Sequence, residues 1–129
     1  MKKIVADTNF LLMPFECGVD LAGELQRIVH SQLTLLVPSV VFAELRMLEG
    51  KTGKNAAAAR FFLQNLGKFR LRFAVEEVKS AGAADEWILK YAQDNSVTVA
   101  TNDVPLRKRL LASGVQVISM KGKSKLDFI

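Results

Sequence analysis

The sequence predicts an α/β fold: a three-layer sandwich with a mainly parallel central sheet of about five strands and helices on both faces. Three observations carry this. Short apolar runs such as IVA, LTLLV, VTVA and VQVIS are too brief for buried helices. The segments between them place apolar residues at helical spacing, as in Leu21, Leu25, Ile28 and Val29. The two kinds alternate along the chain, and strands joined through helices pair in parallel. At 129 residues, without repeat or low-complexity segment, the chain is expected to be one domain over 1–129.

The first strand runs into Asp7. Two lysines before an apolar run suggest a signal peptide, but Asp7 and Asn9 interrupt the run and no small-residue cleavage site follows. A helix over Leu21 to Ser31 precedes a strand over Leu33 to Val37, stopped by Pro38. Ser39 is placed to cap a helix reaching about Glu49. Gly50 to Gly53 is a loop, and an alanine-rich helix runs from about Asn55 to Leu66. Phe69 to Val75 alternates basic and apolar residues like a less buried strand, and Ala83 to Asp94 is helical. Then come the strand VTVAT, a helix around Leu106 to Ala112, Gly114 as its stop, and the strand VQVIS.

Hydrophobic residues make up 50% of the chain, yet charges punctuate every apolar stretch well short of the roughly 20 residues of a membrane span. The single cysteine, Cys17, can form no intramolecular disulfide and no thiolate metal site alone, which points to the cytoplasm. Eighteen Lys and Arg against 13 Asp and Glu give +5, and the excess is clustered. Gly50 to Arg72 holds Lys51, Lys54 and four further cations with no acid; Val104 to Leu126 holds Arg107, Lys108, Arg109, Lys121, Lys123 and Lys125, again with none. Such blocks suit a polyanion such as RNA, although a solvated basic face has the same composition.

The acids give the sharper clue. In a parallel sheet, sites form at the carboxyl ends of the strands where the strand order switches direction. Asp7 follows the first strand and Asp103 the fourth. On a helix at Ser39 to Glu49, Val40, Val41, Met47 and Leu48 fall within about 60° of Glu44, which puts that acid in the apolar stripe. On the later helix Ile88, Leu89 and Ala92 fall within about 60° of Asp85, while Glu86 points away. Taken singly, Asp7, Asp85 and Asp103 read as helix caps and Glu44 as half of an ion pair. Taken together, one divalent cation explains all four, because hard ions such as Mg²⁺ and Mn²⁺ take carboxylate oxygens and buried unpaired carboxylates are costly. Asn9 and Thr101 lie two residues from Asp7 and Asp103 and can hold a carboxylate or a bound water in place.

Other signals fail. Gly50, Lys51 and Thr52 imitate the end of a phosphate-binding loop, but position 45 is Leu45 where the motif needs glycine. His30 is the only histidine and has no nucleophile motif near it, which disfavours a Ser-His-Asp mechanism. Trp87, Phe61 and Phe62 are expected in the core or an interface.

Four segments, ADTN, PSVVFAEL, AADEWILKYA and VATNDVPLRKRL, resemble a PIN domain over nearly the whole chain. The resemblance implies a metal-dependent nuclease fold, with its spaced acids carried over as Asp7, Glu44, Asp85 and Asp103. The loop GKTGKN and the tail VISMKGKSKLDFI look similar to small archaeal PIN proteins related to ribosomal RNA processing nucleases. That resemblance implies an endoribonuclease with Mg²⁺ or Mn²⁺ as cofactor, acting in ribosomal RNA maturation. The alternative is the toxin ribonuclease of a toxin and antitoxin pair. RNA is the implied substrate, with no membrane partner, and the reading admits a homodimer and either an antitoxin or a ribosome-assembly partner. Two rivals remain: an aspartyl phosphatase, which wants an acid where Asn9 stands, and a non-catalytic RNA-binding scaffold of the same fold.

Overall fold

A computed structural model describes residues 1–129. The chain runs β1 (Lys2–Ala6), α1 (Thr8–Cys17), α2 (Leu21–Ile28), β2 (Leu33–Pro38), α3 (Ser39–Glu49), α4 (Lys54–Gln64), α5 (Leu66–Arg70), β3 (Ala74–Val78), α6 (Ala84–Asp94), β4 (Thr98–Ala100), α7 (Val104–Ala112), β5 (Val117–Lys121) and β6 (Lys125–Phe128). The strands form one six-stranded sheet in the order β3-β2-β1-β4-β5-β6, parallel except for the β5–β6 pair. The order switches between β1 and β4, where Ala6 lies opposite Ala100.

The strand alternation separates two cores. Ile4, Ala6, Leu35, Val37, Ala100 and Ile118 face α1 to α4 and pack with Phe10, Leu25, Phe42 and Phe62. Val5, Leu36, Val99 and Val117 face the other way, against Ile88 and Leu89 of α6 and Leu106 and Leu110 of α7. Both sheet faces are therefore covered, which is why the central strands are nearly all apolar. Fully buried side chains such as Phe10, Phe62 and Leu45 each contribute about 1.5–3 kcal/mol.

Several elements depart from the sequence expectations. The helix α1 carried no recognisable period because Phe10, Leu11, Leu12, Met13 and Pro14 are all buried, leaving no amphipathic stripe; Pro14, an interior helix breaker by propensity, sits within it. It ends at Gly18, whose φ of 65° is the left-handed cap glycine adopts without strain. The strand expected over Phe69 to Val75 begins only at Ala74. Leu66–Arg70 is instead a short helix, because Phe69 stacks on Phe62 of α4 at 5.5 Å. Its alternation was a coincidence of local composition.

Ser39 does not cap α3. Ser80, far along the chain, accepts the Val40 N–H through its own hydroxyl at 2.9 Å, and the Ser39 hydroxyl accepts the Ser80 N–H at 2.8 Å. The expected count of about five strands rises to six through β6, a short tail whose Leu126 is fully buried. No helix is long and apolar enough to cross a membrane.

Candidate active site

The β1–β4 register positions the first two acids. Asp7 stands just past β1, with its N–H donated to Ala100 O at 3.3 Å, and its Oδ1 caps α1 by accepting the Phe10 N–H at 2.9 Å. Asp103 repeats the arrangement beyond β4, its Oδ1 accepting the Leu106 N–H of α7 at 2.9 Å. Capping and a place in the site are thus one arrangement, since helix N-termini at the sheet's carboxyl edge present N–H groups to acids there.

Thr101, fully buried, joins the two. Its hydroxyl donates to Asp7 Oδ2 and accepts the Asp103 N–H at 3.0 Å. On the far wall the Thr8 hydroxyl donates to Glu44 Oε2 at 2.6 Å. Thr8 was the residue that sequence reading passed over: it stands inside the ADTN segment, but nothing local says that its hydroxyl meets an acid 36 residues away.

A cleft of about 330 Å³ collects Asp7, Thr8, Asn9, Glu44, Asp85 and Asp103. All four expected acids and Asn9 line it, with Thr101 behind. Two placements differ from the sequence reading. The buried stripe of α3 is Val41, Phe42 and Leu45, so Glu44 lies on its flank, and Met47, expected on the apolar face, is 66% exposed. Asp85 is exposed at the cleft mouth, with Oδ1 accepting the Glu86 N–H at 2.9 Å, and is not on a buried face. Glu86 turns away to pair with Arg109 at 2.6 Å.

Only Asp7 is deeply buried, at 8% exposure. Burial pushes its carboxyl above the ordinary value; the Thr101 and Phe10 hydrogen bonds pull it back, and the charges of Asp103 and Glu44 push it up again. Carboxylates with an amide oxygen from Asn9 make an all-oxygen donor set, which suits a hard divalent cation. As the side chains stand, no three acids close on a single point. Asp7 is tied at both oxygens, whereas Asp103 Oδ2 and Glu44 Oε1 have no hydrogen-bond partner and can turn inward.

The basic residues scatter more widely. Lys54 and Arg107 line a groove that adjoins the cleft through Asn9. Lys51 is exposed in the loop before α4, Lys108 is exposed on α7, and Lys121, Lys123 and Lys125 are exposed along the β5–β6 hairpin. Arg109 is committed to Glu86. Phe62 is core as expected; Phe61 is partly exposed and pairs with Phe15 at 5.5 Å, while Trp87 stacks on Tyr91 at 4.7 Å.

A family model described as a PIN like domain matches residues 4–123. Ribonuclease VapC4 of Methanocaldococcus jannaschii is 33% identical over 131 aligned positions, covering 98% of this chain and 96% of that protein. Among solved structures, the PIN domain endonuclease Utp24 superimposes with a TM-score of 0.77 at 22% identity, over 98% of this chain and 90% of that one. A domain of a functionally unknown protein from Methanocaldococcus jannaschii gives 0.71 at 17%, over 95% and 93%. These last two likenesses are of fold.

Proposed function

From the premise that this chain belongs to the PIN-like domain family, we propose that it is a divalent-metal-dependent endoribonuclease whose site is the cleft of Asp7, Glu44, Asp85 and Asp103. The observation that carries the reading is the meeting of these acids, from four separate segments, at the point where the sheet order switches. The likeness to a protein named as a ribonuclease supports RNA as the substrate.

Mg²⁺ or Mn²⁺, when held there, would acidify a water and neutralise charge on the scissile phosphate. Asp7 and Asp103 would hold the ion most directly, since capping bonds at strand ends fix them most rigidly. Glu44 and Asp85 complete the set from the cleft walls. Thr101 orients Asp7, Thr8 restrains Glu44, and Asn9 at the rim is placed to hold a water or the phosphate. The exposed lysines of the loop and hairpin draw the RNA backbone toward this edge of the molecule.

Asp7 is poorly placed to be a phosphatase nucleophile, because the second acid such enzymes want two residues later is replaced by Asn9. Ribosomal RNA maturation is our first assignment of role; the ribonuclease of a toxin and antitoxin pair uses the same site with a different partner. The test is cleavage of labelled single-stranded RNA with Mn²⁺, with EDTA, and by Asp103→Asn. Metal-dependent cleavage that Asp103→Asn abolishes supports the proposal, and equal cleavage in EDTA refutes it. Mapping the cuts on total RNA against the same variant assigns the role.

A further inference from the structure

The groove that adjoins the acid cleft has a volume of about 440 Å³ and meets the cleft at Asn9. Lys54 at the start of α4, Glu16 of α1, Asn102, Arg107 of α7 and Ser119 of β5 line it. Ser119 is only 1% exposed, and its hydroxyl bonds in both senses: it accepts from Arg107 Nη1 at 3.2 Å and donates to Asn102 Oδ1 at 3.0 Å. Asn102 Oδ1 also accepts the Met120 N–H at 2.8 Å, which fixes which end of that amide is the oxygen.

The chain of bonds therefore has one direction. The Ser119 proton goes to Asn102, and its lone pair is presented to Arg107. The contrast with Arg109 is informative. Arg109 is tied to Glu86, whereas neither Arg107 nor Lys54 forms an ion pair with any carboxylate, Glu16 included. A guanidinium steadied at one nitrogen by a buried neutral hydroxyl keeps its full charge and its remaining N–H donors for a ligand.

We propose that Ser119 is a positioning residue that aims Arg107, which shares the groove with Lys54, at a backbone phosphate of single-stranded RNA lying next to the one in the acid cleft. This rests on the nuclease reading for the identity of the ligand. The groove and cleft meet at Asn9, so an extended strand can occupy both, and gripping the neighbouring phosphate would set where along the strand the acids act.

The experiment compares the full chain with Arg107→Gln, Ser119→Ala and the double variant, in two assays. Binding of a labelled single-stranded oligoribonucleotide is measured in EDTA across a salt series, and KM and kcat are measured with Mn²⁺. Arg107→Gln should weaken binding about 10-fold, as for a lost charge-assisted hydrogen bond, and reduce the salt slope by about 0.7 for one lost phosphate contact. KM should rise more than kcat falls. Ser119→Ala should weaken binding by a smaller factor in the parent and by none in the Arg107→Gln background, since its effect runs through Arg107.

An equal Ser119→Ala factor in both backgrounds, or an unchanged salt slope in Arg107→Gln, overturns the proposal. If alanine unfolds β5, Ser119→Cys preserves the volume with a weak hydrogen-bonding group and serves in its place. Should the parent cut no RNA with any divalent ion, the nuclease reading falls, while the binding comparison in EDTA still decides the role of Ser119.

Discussion

The two ends of the parallel sheet each hold a concavity, and the larger one is not the candidate site. At the amino ends of the strands, a cavity of about 460 Å³ lies among Lys2, Thr98, Gln116 and their neighbours. Three of its polar side chains satisfy one another: Lys2 Nζ donates to Gln116 Oε1 at 2.5 Å and the Thr98 hydroxyl donates to the same oxygen at 2.9 Å. At the carboxyl ends the smaller cleft of about 330 Å³ gathers like charges, and burial and neighbouring acids push Asp7 above its ordinary value. Size does not distinguish the ends. The parallel arrangement does, because crossover helices begin at the carboxyl ends and present N–H groups there, which lets acids collect where the chain switches direction.

The comparison breaks most visibly in activity. Asp7→Asn and Asp103→Asn should abolish Mn²⁺-dependent RNA cleavage while Gln116→Ala leaves the rate near that of the parent. A loss of cleavage in Gln116→Ala would place chemistry at the wrong end. Thr101→Val comes next. It removes the bond to Asp7 and the acceptor of the Asp103 N–H, and should lower activity or metal affinity about 10- to 100-fold by titration against Mn²⁺. Asn9→Ala belongs in the same range; if it equals Asp7→Asn in severity, Asn9 is itself an inner ligand.

Mn²⁺ at about 100 times its dissociation constant should stabilise the parent by roughly 2.7 kcal/mol, raising the melting temperature by on the order of 10 °C in a calorimetric scan. Asp103→Asn should gain much less; an equal gain in both proteins would mean that the ion binds elsewhere. Ser80→Ala tests a purely structural contact and should cost about 0.5–2 kcal/mol in urea unfolding, with cleavage intact, by removing the cap of α3.

The smallest effect is on pH dependence without metal. The folded protein holds the Asp7 proton more tightly than the unfolded chain does, so the Asp7 contribution to stability is most favourable below the ordinary value of 3.8. It falls as pH rises through the raised value, leaving the penalty in force at neutral pH. Asparagine keeps the α1 cap and can donate to Thr101, so Asp7→Asn should lose less stability than the parent between acidic and neutral pH in EDTA. Parallel curves for the two proteins would show that the burial of Asp7 carries no such cost.

Much of what depended on local period or on position beside a strand was legible in the sequence, the alternation over Phe69 to Val75 being the exception. The alternation of strands and helices followed from apolar spacing, and Asp7 and Asp103 could be placed because an acid just past a buried strand has few other places to be. The four acids of the cleft were all named from sequence, although helical counting set Glu44 and Asp85 deeper than they lie. Counting gives the angle between side chains on one helix and not the tilt of that helix on the sheet, which sets how far each face sinks into the core. A helix whose middle is buried all round, as α1 is from Phe10 to Pro14, leaves no period to read. The restraints on the site were beyond reach for a further reason: Thr8 meets Glu44 across 36 residues and Thr101 meets Asp7 across 94. Ser80 caps α3 from 40 residues away, while the adjacent Ser39 satisfies every local rule for the task. Such partners exist only once register and packing bring distant segments together, and a hydroxyl hydrogen-bonds to whatever the fold sets within its reach.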